Sequence, residues 1–117
     1  MDGDRSMSGK ACIVTGATAG IGKVTARALA ERGAAVLVVG RNPGKCEAVV
    51  EEIKGQTSNP DVEFLVADLT SQQEIRQLAK QFKRRYDRLD VLVNNAGAVF
   101  LSRGESVDGI EMTFALN

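Results

Sequence analysis

Thr15-Gly16-Ala17-Thr18-Ala19-Gly20-Ile21-Gly22 is the stretch on which the reading of this chain turns. It follows a compact apolar run at residues 11–14, which reads as a strand ending in a tight turn. It precedes Ile21, Val24, Ala28 and Leu29, which recur at helical spacing until Gly33 stops the pattern. A glycine turn between strand and helix leaves the first N–H groups of the helix free, and the helix dipole favours an anion beside them. Glycine lets the backbone approach a phosphate without a β-carbon in the way and supplies positive φ where the turn needs it. Gly22 lets the helix lie close against the sheet.

A glycine turn after a strand is often only a turn, and two sharper patterns are distinguished from it by spacing. A P-loop, G-x-x-x-x-G-K-[ST], would align its last glycine and lysine with Gly22-Lys23. It then needs glycine at 17 and a hydroxyl at 24, where Ala17 and Val24 stand, so nothing would hold the magnesium ion. The G-x-G-x-x-G dinucleotide spacing also fails literally, because the glycines fall at 16, 20 and 22.

Outward from the turn, apolar runs alternate strictly with helical patterns. Residues 35–39 are a second continuous apolar run rich in β-branched side chains, which needs both faces buried, as in the middle of a parallel sheet. Asn42 reads as a helix cap and Pro43 as the first helical residue. Cys46, Val49, Val50 and Ile53 form the buried stripe and Gly55 the stop, with a polar surface loop at 56–60. Residues 62–67 read as the third strand. Ser71 and Glu74 form a capping box that launches a helix with Ile75, Leu78, Ala79, Phe82 and Tyr86 on its core stripe. Residues 91–93 are the fourth strand, closing at Asn94-Asn95-Ala96-Gly97. A loop and the first turns of another helix, over 107–117, follow. Four strands and three complete helices in this order predict an α/β fold with a doubly wound parallel sheet and right-handed crossovers. The 117 residues fit a single domain, with 1–8 expected to be a flexible lead-in.

Composition narrows the function. Lys+Arg and Asp+Glu both total 15, so the basic excess expected of a nucleic-acid or acidic-membrane binder is absent. The absence of histidine excludes His-containing zinc sites and Ser-His-Asp catalysis. Cys12 and Cys46 lie among apolar residues, where a thiol behaves as a small hydrophobe, and form no disulfide framework. The opening ten residues lack a signal-peptide core, and no apolar run approaches the roughly 18 residues that span a membrane. These features point to a reduced, cytoplasmic setting.

The glycine spacing at 16, 20 and 22 resembles that of the short-chain dehydrogenase/reductase family. Asn94-Asn95-Ala96-Gly97 after strand four resembles the family's N-N-A-G motif, and Asp68-Leu69 after strand three its adenine-contacting acidic turn. Asp108-Gly109-Ile110-Glu111, running on to Asn117, is similar to the retinol-dehydrogenase-like branch. The resemblance covers residues 10–117 and implies a Rossmann-type sheet, here truncated after the fourth strand. It implies a nicotinamide dinucleotide cofactor and hydride transfer on an alcohol or carbonyl substrate. It also implies that Gly16, Thr18, Ala19, Gly20, Ile21 and Gly22 line the pyrophosphate turn. Asp68 and Leu69 would meet the adenine, and Asn95, Ala96 and Gly97 the ribose, while Asn94 serves a structural role tying strand four to its neighbours. Asn117 matches the family's active-site asparagine.

An NAD site places an acidic residue at the end of strand two to bind the ribose 2′-OH. Gly40 stands there, followed by Arg41 and Asn42. A guanidinium meets a 2′-phosphate where a carboxylate would repel it, so NADP(H) is expected over NAD(H).

Family members use a Tyr-x-x-x-Lys pair for proton transfer. The only tyrosine is Tyr86, with Asp90 four residues on, so these 117 residues are expected to be inactive alone. A nucleotide-binding or interaction module without catalysis is the competing reading. The fourth strand is expected to leave an apolar parallel edge, inviting self-association into a homo-oligomer.

Overall fold

A computed structural model describes residues 6–18, 20–94 and 97–100, with 94 and 97–100 described by backbone path alone. The chain runs β1 (Ala11–Thr15), α1 (Gly20–Glu31), β2 (Ala35–Gly40), α2 (Pro43–Thr57), β3 (Val62–Val66), α3 (Gln72–Arg85), β4 (Val91–Asn94) and β5 (Gly97–Phe100). The sheet order is β3-β2-β1-β4-β5, with β1 to β4 parallel. The chain therefore steps outward from β1 through β2 to β3, then crosses back to place β4 on the other side of β1. That reversal makes β1/β4 the topological switch point, where open α/β sheets hold ligands beyond the strands' carboxyl ends.

Strand alternation divides the core in two. Cys12, Val14, Val36 and Val38 meet α1 and α2 through Ala26, Ala30, Val49, Val50 and Ile53. Ala11, Ile13, Leu37, Val39 and Leu92 meet α3 through Leu78 and Phe82. Met7, inside the expected flexible lead-in, donates its N–H to the Arg32 carbonyl at 3.0 Å and packs against the first layer.

The sequence reading differs from the structure at five places. The first is the face of α1. Ile21 is 86% and Val24 56% exposed; of the expected stripe Leu29 packs against the core, and the helix buries Ala26 and Ala30 beside it. Both stripes have helical spacing, but the one with small residues lets the axis approach the sheet. The second is the end of α2. The helix continues through Gly55 to Thr57, and Ser58, in the left-handed region at φ 57°, donates its N–H to the Lys54 carbonyl. The following segment is tied inward rather than being only surface loop: the Asn59 amide donates to the carbonyls of Ala30 and Ala34 at 2.9 and 2.8 Å.

The third difference concerns α3. Ser71 Oγ accepts the Glu74 N–H at 3.2 Å, as a capping box requires, but Glu74 Oε1 reaches past Ser71 to the Asp68 N–H. The Ser71 N–H donates to the Asp68 carbonyl instead. Fourth, Tyr86 caps α3 rather than lying within it; its ring stacks on Phe82 with centroids 4.8 Å apart, and its hydroxyl donates to Glu63 Oε2 at 2.9 Å.

The fifth is the sheet edge. The parallel sheet has the four strands expected, but β4 does not leave its edge bare. β5 pairs with it antiparallel, Asn94 opposite Gly97 and Val91 opposite Phe100. Only two residues separate the strands, too few for the crossover a parallel return needs. The apolar run at 97–100 thus behaves as strand, not loop. The predicted turns at 107–117 lie outside the described residues.

Candidate functional site

The turn after β1 is built by two glycines in the left-handed region, Gly16 at φ 63° and Gly20 at φ 61°. A Cβ on Gly22 would run into the backbone carbonyl of Gly16. Helix α1 therefore begins hard against the turn, with its first N–H groups facing the carboxyl end of the sheet. The turn is anchored from below: the Gly16 N–H donates to the Val39 carbonyl at 3.2 Å, the Thr15 hydroxyl donates to the Val93 carbonyl at 3.4 Å, and Ala17 is fully buried. Ile21 stands exposed at the helix start. Lys23, the residue a P-loop would aim at phosphate, pairs with Glu52 of α2 at 2.8 Å.

Beside the turn lies a cleft of about 380 Å³ at the carboxyl ends of β1, β2 and β3. The structure brings Gly16, Thr18, Arg41, Asp68 and Leu69 together on its wall, five of the residues singled out from the sequence. Asn42 flanks it and is committed to its cap, Oδ1 accepting the Lys45 N–H at 3.0 Å. Gly97 lies in β5, paired with Asn94 at the carboxyl end of β4. Ala19, Asn95, Ala96 and Asn117 lie outside the described residues.

Three lining residues had no signal of their own in the sequence reading: Val39, Ala67 and Thr70. Thr70 is the informative one. Its hydroxyl and N–H both donate to Asp68 Oδ1, at 2.7 and 3.0 Å, a local turn that the Asp-x-Thr spacing could have revealed. These bonds, the hydroxyl's first, hold the Asp68 carboxyl below the usual carboxylate range, and the neighbouring Arg41 guanidinium adds to the effect. Asp68 is thus an ionised acceptor throughout the physiological range, and Arg41 is the cation at the end of β2.

A larger cleft, about 450 Å³, opens at the opposite end of the sheet, between Lys10, Asp61 and the residues after α3. Its arginines are engaged within the chain: Arg85 pairs with Glu63 at 3.3 Å and Arg88 with Asp90 at 3.1 Å. It lies at the amino ends of the strands, away from the helix N-terminus and the switch point, so size does not make it the better candidate. Among the described residues no group of three metal-ligating side chains occurs, and no helix is long and apolar enough to cross a membrane.

The cradle fits a dinucleotide phosphate: left-handed glycines, a helix start packed too tightly for a side chain at 22, and a cation at the end of β2. Retinol dehydrogenase 13 of Mus musculus is 42% identical over 112 residues, which is 96% of this chain and 34% of that protein. Polyprenol dehydrogenase of Homo sapiens is 44% identical over 108 residues, 92% of this chain and 33% of that protein. The chain thus spans about a third of the length of these curated relatives. Among solved structures, a short chain dehydrogenase from Escherichia coli CFT073 complexed with NADPH superposes with a TM-score of 0.73 at 33% identity, covering 80% of this chain and 39% of that one. The RhlG/NADP complex of Pseudomonas aeruginosa does so with a TM-score of 0.69 at 34% identity, covering 76% and 35%. The short chain dehydrogenase family profile matches residues 10–117, nearly the whole chain, and this protein belongs to that family.

Proposed function

We propose that this chain is the NADP(H)-binding portion of an oxidoreductase that acts on an alcohol or carbonyl group. The observation that carries the reading is the pairing of Gly40 with Arg41 at the end of β2, beside the cleft. With no carboxylate at 40 to repel a 2′-phosphate, the Arg41 guanidinium is free to meet it with charge-assisted hydrogen bonds. The N–H groups around Gly16, Thr18, Ala19, Gly20, Ile21 and Gly22 receive the pyrophosphate, with Asn42 close to the adenosine phosphate. Asp68 accepts from the adenine amino group, Leu69 lies beside the ring, and Asn95, Ala96 and Gly97 border the ribose. The bound nicotinamide would supply or accept the hydride. NADP(H) complexes among the structural neighbours support the cofactor, with NAD(H) the weaker ligand. Relatives named for retinol and polyprenol support a substrate with an apolar body. Asn117 is the residue we assign to the active-site end of the chain.

Titration of the protein with NADPH and NADH tests the reading. NADPH is expected to bind at least about tenfold tighter, a gap worth roughly one charge-assisted contact. Equal affinities would remove the NADP(H) preference. Failure of both dinucleotides to bind folded protein would remove the nucleotide site altogether.

A further inference from the structure

Gly40 is where an acidic residue would have to stand to select the unphosphorylated ribose, and a side chain there would crowd buried neighbours. Along β2, Val36 and Val38 face α1 and α2 while Leu37 and Val39 face α3. Position 40 is in step with the first pair, so a side chain there starts toward α2. A Cβ built on Gly40 would stand 2.9 Å from Cys46 Sγ and 3.4 Å from Thr18 Cγ2. The first distance is too short for a stable contact.

Neither partner is free to yield. Cys46 is fully buried, and helical backbone restricts its single side-chain torsion. Its N–H donates to the Asn42 carbonyl at 3.0 Å, in the same turn that Asn42 Oδ1 caps. The Gly40 carbonyl accepts the Ala67 N–H at 3.0 Å, which fixes the strand end from the other side.

Resting on the NADP(H) reading above, we propose that Cys46 is a specificity-determining residue: the space its sulfur fills beneath Gly40 keeps an acidic side chain off the end of β2 and preserves the 2′-phosphate preference. Cys46 acts as a positioning residue, through the backbone and side-chain space at 40, and touches no ligand.

The experiment compares Gly40→Asp, Cys46→Ala and the double variant, measuring dissociation constants for NADPH and NADH alongside thermal stability. Gly40→Asp alone is expected to lower Tm by roughly 5 °C or more and to weaken NADPH without gaining NADH. Adding Cys46→Ala is expected to recover most of that Tm loss. It should also shift the NADPH/NADH ratio toward NADH by roughly ten- to a hundredfold, the worth of one hydrogen bond to a charged group. A structural role for Cys46 alone would move Tm but not this ratio. Should Gly40→Asp fail to fold, Gly40→Ala with and without Cys46→Ala gives the same steric coupling from Tm. The proposal is overturned if Gly40→Asp alone shifts the ratio as far as the pair does, or if the stability costs of the two substitutions simply add. An unsubstituted protein that binds neither dinucleotide points instead to failure of the nucleotide reading itself, and the inference falls with it.

Discussion

The Glu74 carboxylate accepts the backbone N–H of Asp68 at 2.8 Å, tying the first turn of α3 to the turn that closes β3. The same Asp68 presents its carboxylate to the cleft, so the helix cap and the candidate adenine contact share one short segment. Glu74→Ala should cost about 1 kcal/mol, the usual worth of such a bond, and loosen the orientation of Asp68. We expect a lower denaturant midpoint and a several-fold weaker NADPH affinity, with Glu74→Gln retaining most of both. Unchanged affinity in a destabilised Glu74→Ala protein would separate the cap from the site.

Arg41→Ala should erase discrimination rather than binding. NADPH affinity is expected to fall about tenfold while NADH affinity holds, bringing the two close together. Because the contact is electrostatic and exposed, the NADPH advantage should also shrink as salt rises. Calorimetric titration of both dinucleotides at two ionic strengths checks this.

Two glycine-to-alanine changes should have opposite signs. Gly22→Ala drives a methyl group into the Gly16 carbonyl, and overpacking of this kind costs about 1–3 kcal/mol. Dinucleotide binding should fall with it, because the helix start must back away from the turn. Gly55 lies inside α2 with open space at its Cβ position. Gly55→Ala should therefore stabilise the protein by about 0.5–1 kcal/mol. Thermal melts of the two variants give both signs in one measurement.

Alkaline pH should weaken the fold through Cys12. Burial first, and then the nearby Asp90 carboxylate, push its thiol up to about 12 from an ordinary 9.0. A folded value above the unfolded one contributes stability that is complete below pH 9.0 and lost as pH climbs toward 12. Cys12→Ala should flatten that alkaline decline. Both cysteines are buried, so thiol-reactive probes at mildly alkaline pH should label them only after denaturation.

Much of this architecture was legible because buried parallel strands need continuous apolar runs, and β1, β2 and β4 have them, while β3, at the sheet edge, carries the exposed Glu63. The glycine turn and the acidic turn were legible for a different reason: each sits at a strand's carboxyl end and carries its own short motif, and both line the cleft. What escaped the sequence were choices made by packing. α1 offers two apolar stripes, and only the sheet decides that Ala26 and Ala30 go inside rather than Ile21 and Val24. Glu74 has two N–H groups within reach, and the position of the β3 turn selects Asp68 over Ser71. Gly55 looked like a stop, but Ser58 takes the left-handed cap because Asn59 is held by the carbonyls of Ala30 and Ala34. The tight space between Gly40 and Cys46 lies between two elements, so no local pattern announces it.

β5 runs opposite to the four parallel strands of the sheet. Phe100 lies opposite Val91, at the entrance to β4, whereas the cleft opens beyond the strands' exits. Phe100 therefore stands roughly 13 Å of strand length from the level at which the cleft opens. The last described residue and the cleft thus sit at opposite poles of one sheet.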